Sequence, residues 1–454
     1  MIGLNKIGLN QVQLNRLYLN APFPVYRKMA GGGSSGDGFP VLPGDVTRWH
    51  FGGLTNEMMA AMDDPRIEDA DHKGRFLSFK NFAWKEGSGI SDIYPGALVF
   101  DGVDDYGVCD NFPILTKEKG YTVVALRQWI EEKNSITALV SNSKKWFQDG
   151  AFVFEYNNLE VGCANIAISF GFNNTLSRGL SPYSYQTSKL YNGRSLNSGS
   201  FLGIDKLVVA KANENLSPNS NVAIWELVFL DHDATEEELT KIKDYFVKTY
   251  PWLFPDQAWT VTGKTNEDED RATITNITGN GNDLVLSNFG FIEGSGYNEE
   301  GEYAGYLVTD GVDDVIQSKR FLLHRNWTMV GDWRFMPPEK NTNSGIVKSP
   351  AIRLYNQLNN IAIYINRTTN PKSISGRSIK TVCSDGRIYL DDWSEFLDTE
   401  LQTDFDNNAV ISIANYGVNF TKMIFKNLSF YDNQLLSKDD CIKAYNYLQT
   451  LKAK

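Results

Sequence analysis

The chain has 454 residues, 42% of them hydrophobic, so it can bury real cores and, at roughly 100–200 residues per domain, build two or three domains. A formal net charge of −11, with no Lys/Arg stripe to override it, argues against a protein that grips the nucleic-acid backbone. Apolar runs such as LVVA at 207–210 fall far short of the ~18 residues that a membrane-crossing helix needs, so no membrane partner is expected.

The chain opens MIGLNKIGLNQVQLNRLYLN, with Leu at 4, 9, 14 and 19, each followed by Asn, and an aliphatic residue two places before each Leu. A 3.6-residue turn would smear a five-residue repeat around a helix. An odd period would flip the apolar set of a strand at every repeat unless the backbone bends. Asn at every fifth position also breaks the apolar core of a signal peptide. Four pentads make at most one coil of a β-solenoid or a few bent strands, and ordering such a segment at ~1–2 kcal/mol per residue outweighs what one exposed coil offsets. The face made by Ile2, Leu4, Ile7, Leu9, Val12, Leu14, Leu17 and Leu19 is therefore expected to anchor or oligomerise the chain, against sister chains or a larger particle. The competing reading is a terminal strand folded onto the chain's own sandwich. Residues 31–44 contain GGGSSGDG and read as a flexible linker, which suits two parts that hold different partners.

Beyond the linker the sequence is written twice. WHFGGLTN at 49–56 returns as WTVTGKTN at 259–266, GRFLSFKNFAWKEGSG at 74–89 as GNDLVLSNFGFIEGSG at 281–296, and DGVDD at 101–105 as DGVDD at 310–314. ELVFLDHDATEEELTKIKDYF at 226–246 is likewise similar to NLSFYDNQLLSKDDCIKAYNYL at 427–448. Ordered matches at nearly constant separation mark a tandem duplication of one unit of about 200 residues. Units at 45–254 and 255–454 are expected, after an anchor at 1–30 and the linker. Within each unit YTVVALRQW, AFVFEY, NIAISFGF, LVVAKA and VAIWELVFL, or WTMVGDWRF, NIAIYI, AVISIAN and MIFKNLSFY, predict short strands between Gly/Asn/Ser turns. One helix closes each unit, capped by Thr235 with Glu238 in the first and by Ser437 with Asp440 in the second, and Pro251 marks the border.

LVFDGVDDY, the strands that follow a Thr, and the closing ELVFLDHDATEEEL together resemble the concanavalin A-like, laminin-G-type jelly roll, over roughly 95–250 and 303–452. That resemblance implies an all-β chain of two tandem jelly-roll sandwiches, each closed by a short helix. TGNGNDLVLSNF and the LN pentads resemble virion proteins of phages that infect gut Bacteroides, including the crAss-like group. The resemblance implies a virion appendage, a head fibre or decoration with a tail fibre as the close variant. It would be held to capsid or another virion protein by its N-terminus, displayed as a homo-oligomer (a trimer over a dimer, by analogy with phage fibres), and assembled in the host cytoplasm. A carbohydrate-binding tail fibre or receptor-binding module is the alternative, and a glycan hydrolase ranks below it.

Jelly rolls of this kind include glycanases with alternating carboxylates on one strand. The nearest match, TNEDEDR at 265–271, has no apolar residue between its acids and reads as a solvated acidic turn. His50, His72, His232 and His324 are scattered, with no paired spacing, and no GxSxG or phosphate-binding loop is present. The expectation from these patterns is no enzyme, no cofactor and no metal. Asp104, Asp105, Asp313 and Asp314 carry a Ca²⁺ alternative, weighed against the use of such Asp residues to satisfy turn N–H groups. Cys109, Cys163, Cys383 and Cys441 lack CxxC spacing and read as reduced core thiols. Trp146, Tyr183, Tyr185 and Tyr191, in an Asn/Ser-rich stretch, are candidates for stacking on a host-surface glycan, or for core and interface positions.

Overall fold

The computed structural model describes residues 38–115, 119–131, 137–142, 153–156, 181–195, 204–211, 219–319, 321–336, 344–348, 352–357, 360–365, 372–375, 378–397, 408–409, 412–413, 415–416, 419–420 and 422–453. The anchor residues Ile2, Leu4, Ile7, Leu9, Val12, Leu14, Leu17 and Leu19 lie outside the described residues, as do Trp146 and Cys163. The chain is all-β apart from three described helices, and it divides into two compact units, the first ending at Lys248 and the second formed mainly by the residues from Thr249 onward.

The first unit runs β1 (Val46–His50), α1 (Asn56–Ala60), β2 (Arg66–Glu68), β3 (Phe76–Lys80), β4 (Gly89–Ile90), β5 (Leu98–Asp101), β6 (Tyr106–Cys109), β7 (Thr122–Trp129), β8 (Ala138–Ser141), β9 (Val153–Tyr156), β10 (Tyr183–Thr187), β11 (Leu190–Tyr191), β12 (Arg194–Ser195), β13 (Leu207–Val209), β14 (Asn221–Leu230) and α2 (Glu236–Thr249). One antiparallel sheet is ordered β12-β11-β10-β7-β14-β5-β4 with β1 on β14, and the other β2-β3-β6-β13-β8-β9. Alternation turns Val123, Ala125, Leu227 and Phe229 of the first sheet toward Leu77, Cys109, Leu207 and Val209 of the second, which is the packing of a two-layer sandwich. α2 lies on the other face of the first sheet, where the Tyr245 hydroxyl meets Arg48 Nη1 at 3.0 Å and Phe246 packs on Tyr183.

The second unit begins with a 3₁₀ turn at Pro251–Leu253 and runs β15 (Gln257–Thr260), β16 (Thr273–Ile274), β17 (Leu284–Ser287), β18 (Gly296–Asn298), β19 (Tyr306–Val308), β20 (Val315–Ser318), β21 (Phe321–Leu322), β22 (Trp327–Phe335), β23 (Ser344–Lys348), β24 (Ile352–Gln357), β25 (Asn360–Ile365), β26 (Lys372–Ser375), β27 (Thr381–Cys383), β28 (Arg387–Tyr389), β29 (Glu395–Leu397), β30 (Asn408–Ala409), β31 (Ser412–Ile413), β32 (Asn415–Tyr416), β33 (Asn419–Phe420), β34 (Met423–Asp432) and α3 (Lys438–Thr450). Its large sheet, β18-β19-β34-β22-β27-β28-β29 with β15 on β34, repeats the order of the first unit. Trp259, Trp327, Met329, Phe425 and Phe430 from that sheet pack on Ile274, Leu284, Leu286 and Ile316 from the β16-β17-β20-β31 sheet.

The two units agree in detail. A bulge shifts the register at Trp225 on β14 and at Lys426 on β34, so Glu226 and Asn427 occupy corresponding places. In DGVDD, Asp101 Oδ1 accepts from Val103 N at 2.7 Å and Asp310 Oδ1 accepts from Val312 N at 2.7 Å, while Gly102 and Gly311 take φ of 74° and 77° at the turn. The capping pairs form as expected: Thr235 N donates to Glu238 Oε2 at 2.7 Å, and Asp440 N donates to Ser437 Oγ at 3.1 Å. No described helix is long and apolar enough to cross a membrane.

Candidate ligand pocket on the second sandwich

The bulge in β34 leaves β22 with a clean alternation. Trp333 and Phe335 enter the core, and Asp332 and Arg334 face outward. On that outer face, beside α3, lies a cavity of about 420 Å³ lined by Glu302, Tyr303, Tyr306, Asp332, Arg334, Ser378, Lys380, Asp391 and Tyr445, with Gly331 among its walls. A Cβ on Gly331 would stand 2.9 Å from Asn427 O, so this position keeps the strands close and adds no side chain to the cavity.

Asp332 is the centre of the arrangement. Its Oδ2 accepts from the Tyr306 hydroxyl at 3.1 Å and from Gln449 Nε2 of α3 at 3.2 Å, and its backbone N donates to Asn427 Oδ1 at 3.1 Å. Burial, and then the neighbouring Asp332 charge, push the Tyr306 hydroxyl up to about 12, and the same two causes move Tyr445 upward, so both stay protonated donors. The Lys380 ammonium sits 4.9 Å from the Trp393 ring and 4.8 Å from the Tyr445 ring, held by cation–π attraction. Ser378 Oγ donates to Asp391. The cavity thus presents carboxylates, cations, phenols and aromatic faces within one small volume, at the size of common small-ligand sites.

The first unit lacks this lining. By the shared strand register, Tyr306, Asp332, Arg334 and Lys380 correspond to Ala97, Leu126, Gln128 and Ser184. The two units share the scaffold, and these polar residues stand on the second alone.

Sequence reasoning missed this pocket because its residues come from separated segments, none of which carries a motif. The candidates it named fall elsewhere. Tyr183 and Tyr185 are neighbours on β10 with ring centroids 6.0 Å apart, and Tyr183 packs on α2, its hydroxyl 3.4 Å from Leu239 O. Tyr191 is only 2% exposed, and its hydroxyl donates to Glu155 Oε1 at 3.2 Å. There it joins a buried network: Arg127 Nε and Nη2 reach Glu155 at 2.7 and 2.6 Å, and Trp129 Nε1 donates at 3.0 Å. Burial alone would raise the Glu155 carboxyl, but Arg127 overrides it and holds the group below the usual range. Arg127 takes the core-facing place that Trp333 fills in the second unit, so a charged residue in an apolar alternation was the available signal.

Among the described residues, the acidic clusters that could hold a cation are Asp101, Asp104 and Asp105, and Asp310, Asp313 and Asp314. Some of their oxygens accept hydrogen bonds within the turns: Asp105 Oδ2 accepts from Asp101 N at 3.1 Å, Asp314 Oδ2 from Asp310 N at 2.7 Å, and Asp314 Oδ1 from Ser295 Oγ at 3.0 Å, while Asp105 Oδ1 is buried without a hydrogen-bond partner. Burial pushes Asp105 up to about 7 and Asp314 up to about 6. Each histidine faces its own carboxylate, His50 on Glu226, His72 on Glu68, His232 on Glu238 and His324 on Asp432. The acids of 265–271 make a turn in which Thr265 N donates to Asp268 Oδ2 at 2.9 Å. Burial lifts the Cys109 thiol to about 12.

No family description matches the chain, and no curated protein matches it. Among solved structures it is similar to the sialidase of Trypanosoma rangeli, at 10% identity and a TM-score of 0.31, over 84% of this chain and 67% of that one. It is also similar to the botulinum neurotoxin type G receptor-binding domain, at 14% identity and a TM-score of 0.25, over 42% of this chain and 50% of that one. The binding domain of Paraclostridial Mosquitocidal Protein 1 matches at 11% identity and a TM-score of 0.25, over 42% of this chain and 51% of that one. The expectation that the chain is not an enzyme is corrected: sialidases stand among these structures, at a likeness too distant to assign their activity to this chain. The physical reason is that local acid patterns test only sites written on one strand. A pocket assembled across strands escapes that test.

Proposed function

We propose that the chain is a phage virion appendage of concanavalin A-like sandwiches, anchored through its N-terminal pentads as a homo-oligomer, whose second sandwich binds host-surface glycan. The observation that carries the binding role is the pocket around Asp332, where Tyr306, Asp332, Arg334 and Lys380 stand at places that Ala97, Leu126, Gln128 and Ser184 occupy in the first unit. Sugars are recognised by this combination: carboxylates and cations bond paired hydroxyls while aromatic faces cover the ring C–H surface. The resemblance of the LN pentads and TGNGNDLVLSNF to virion proteins of Bacteroides phages supports the setting.

A glycan array followed by calorimetry on the best sugar tests the reading. Asp332→Ala and Lys380→Ala are each expected to weaken binding at least tenfold, about 1.4 kcal/mol or more, with melting little changed. Gln128→Ala on the first unit is expected to leave binding unaltered. Silence across the array, or binding that survives both pocket variants, would sink the assignment.

A further inference from the structure

The acids and the bases of the Asp332 pocket have different surroundings. Asp332 Oδ2 accepts from the Tyr306 hydroxyl at 3.1 Å and from Gln449 Nε2 at 3.2 Å, and Asp391 accepts from Ser378 Oγ, so neutral donors already engage two of the three carboxylates in the wall. The third, Glu302, is exposed, where water and salt screen its charge. Among the described residues, by contrast, the Lys380 ammonium and the Arg334 guanidinium make no ion pair and no hydrogen bond, although both line the same cavity. Lys380 is nevertheless held in place. The Trp393 and Tyr445 ring centroids lie 4.9 and 4.8 Å from its Nζ, and ring faces attract an ammonium without neutralising it. Lys426, at the bulge of β34, adds a cation beside the wall: its Nζ lies 5.6 Å from the Tyr306 ring and meets no carboxylate among the described residues. The first unit has Ser184, Gln128 and Trp225 where the second has Lys380, Arg334 and Lys426, so these open cations belong to one unit, as the pocket does.

We propose that the glycan taken by this pocket is acidic, with its anionic group received by Lys380 and Arg334, an assignment that rests on the glycan-binding role. A ligand that covers these two cations strips water from them, and only an acceptor, best a charged one, restores what they lose. A carboxylate or a sulfate ester does so: the Lys380 ammonium meets it as a point charge, and the Arg334 fork offers it parallel N–H donors. The sugar hydroxyls then donate to the remaining oxygens of Asp332 and Asp391, and the Tyr445 and Trp393 rings supply the apolar faces. A neutral sugar would leave both cations covered without a counter-charge. An amino sugar would bring a further ammonium toward them, while two of the carboxylates that could receive it are already bonded.

The test uses the full chain on an array that holds neutral, amino-sugar, uronate-bearing and sulfated glycans, and the strongest signals are expected from the acidic members. The best of these is then neutralised, by carboxyl reduction or by desulfation according to the group it bears, and calorimetry should find the product bound at least about tenfold more weakly. Affinity for the acidic form should also fall as NaCl rises from about 20 to about 300 mM, with little change for the neutral form. Lys380→Gln combined with Arg334→Gln is expected to abolish the preference for the acidic form, and Lys380→Arg to keep it. Arg334 is exposed, so Arg334→Gln alone should reduce the preference with melting unchanged even if the double variant proves unstable. Neutral or amino-sugar members bound as tightly as acidic ones would overturn the acidic assignment and leave the glycan-binding role standing. A preference for the acidic form that survives in Arg334→Gln and in the double variant would also overturn it, since the charge would then be read elsewhere. Silence across the whole array would overturn both.

Discussion

Asp105 shows how a single turn residue sets a pH response. It is fully buried, Oδ2 bonds Asp101 N, and burial together with Asp101 and Asp104 raises its pKa to about 7. An unfolded Asp titrates near 3.9, so the folded state holds a proton that the unfolded chain releases. The stability linked to this group is complete below about pH 4 and is lost as pH rises through about 7. Comparing urea unfolding of wild type and Asp105→Asn from pH 4 to 8 isolates it: the wild type should lose stability relative to the variant over that range, and parallel profiles would refute the shift. The same residues show what sequence can convey. DGVDD was legible because Asp, Gly and the turn are adjacent in the chain. Tyr191 was not, because the strand return that buries it depends on Glu155, 36 residues away.

At the scale of elements, the repeated TN and EGSG motifs explain each other. Asn56 Nδ2 donates to Ile90 O at 2.8 Å and its Oδ1 accepts from Ile90 N at 2.8 Å; Asn266 does the same to Tyr297 at 2.7 and 2.8 Å. One side-chain amide stands in for a neighbouring strand at β4 and at β18. Gly89 and Gly296 let it approach, since a Cβ there would lie 2.3 Å from Asn56 Oδ1 and 2.5 Å from Asn266 Oδ1. Asn56→Ala and Asn266→Ala each strand one N–H and one C=O, at an expected cost of about 1–3 kcal/mol measured by urea unfolding. A change below about 0.5 kcal/mol in both would show that solvent replaces the amide without loss. These motifs were visible as repeats, but their function as a strand substitute needed coordinates. Period-two alternation gave β7 in the first unit and β22 in the second, whereas Arg127 on the core side of β7 and Asp332 on the outer side of β22 look alike in sequence: each is a charge inside a largely apolar run.

At the scale of the whole molecule, the two units share a scaffold and differ at the Asp332 pocket. Each unit has its own buried core, built on Trp49 and Phe229 in the first and on Trp259 and Phe430 in the second, and each carries its own closing helix. Such a core can hold a unit together alone. The pocket residues, from Glu302 to Tyr445, all belong to the second unit. A chain of residues 249–454 is therefore expected to fold cooperatively and to bind the array-selected glycan within about twofold of the full chain's Kd, less than about 0.4 kcal/mol apart. A chain of residues 38–248 is expected to fold and not to bind. Far-UV circular dichroism and urea melts establish folding first, and calorimetry then reads binding. Folded 249–454 without affinity, or a folded 38–248 that binds, would move the ligand site off the Asp332 pocket. Failure of 249–454 to fold would instead show that the second core needs the first unit, contrary to the separate cores described.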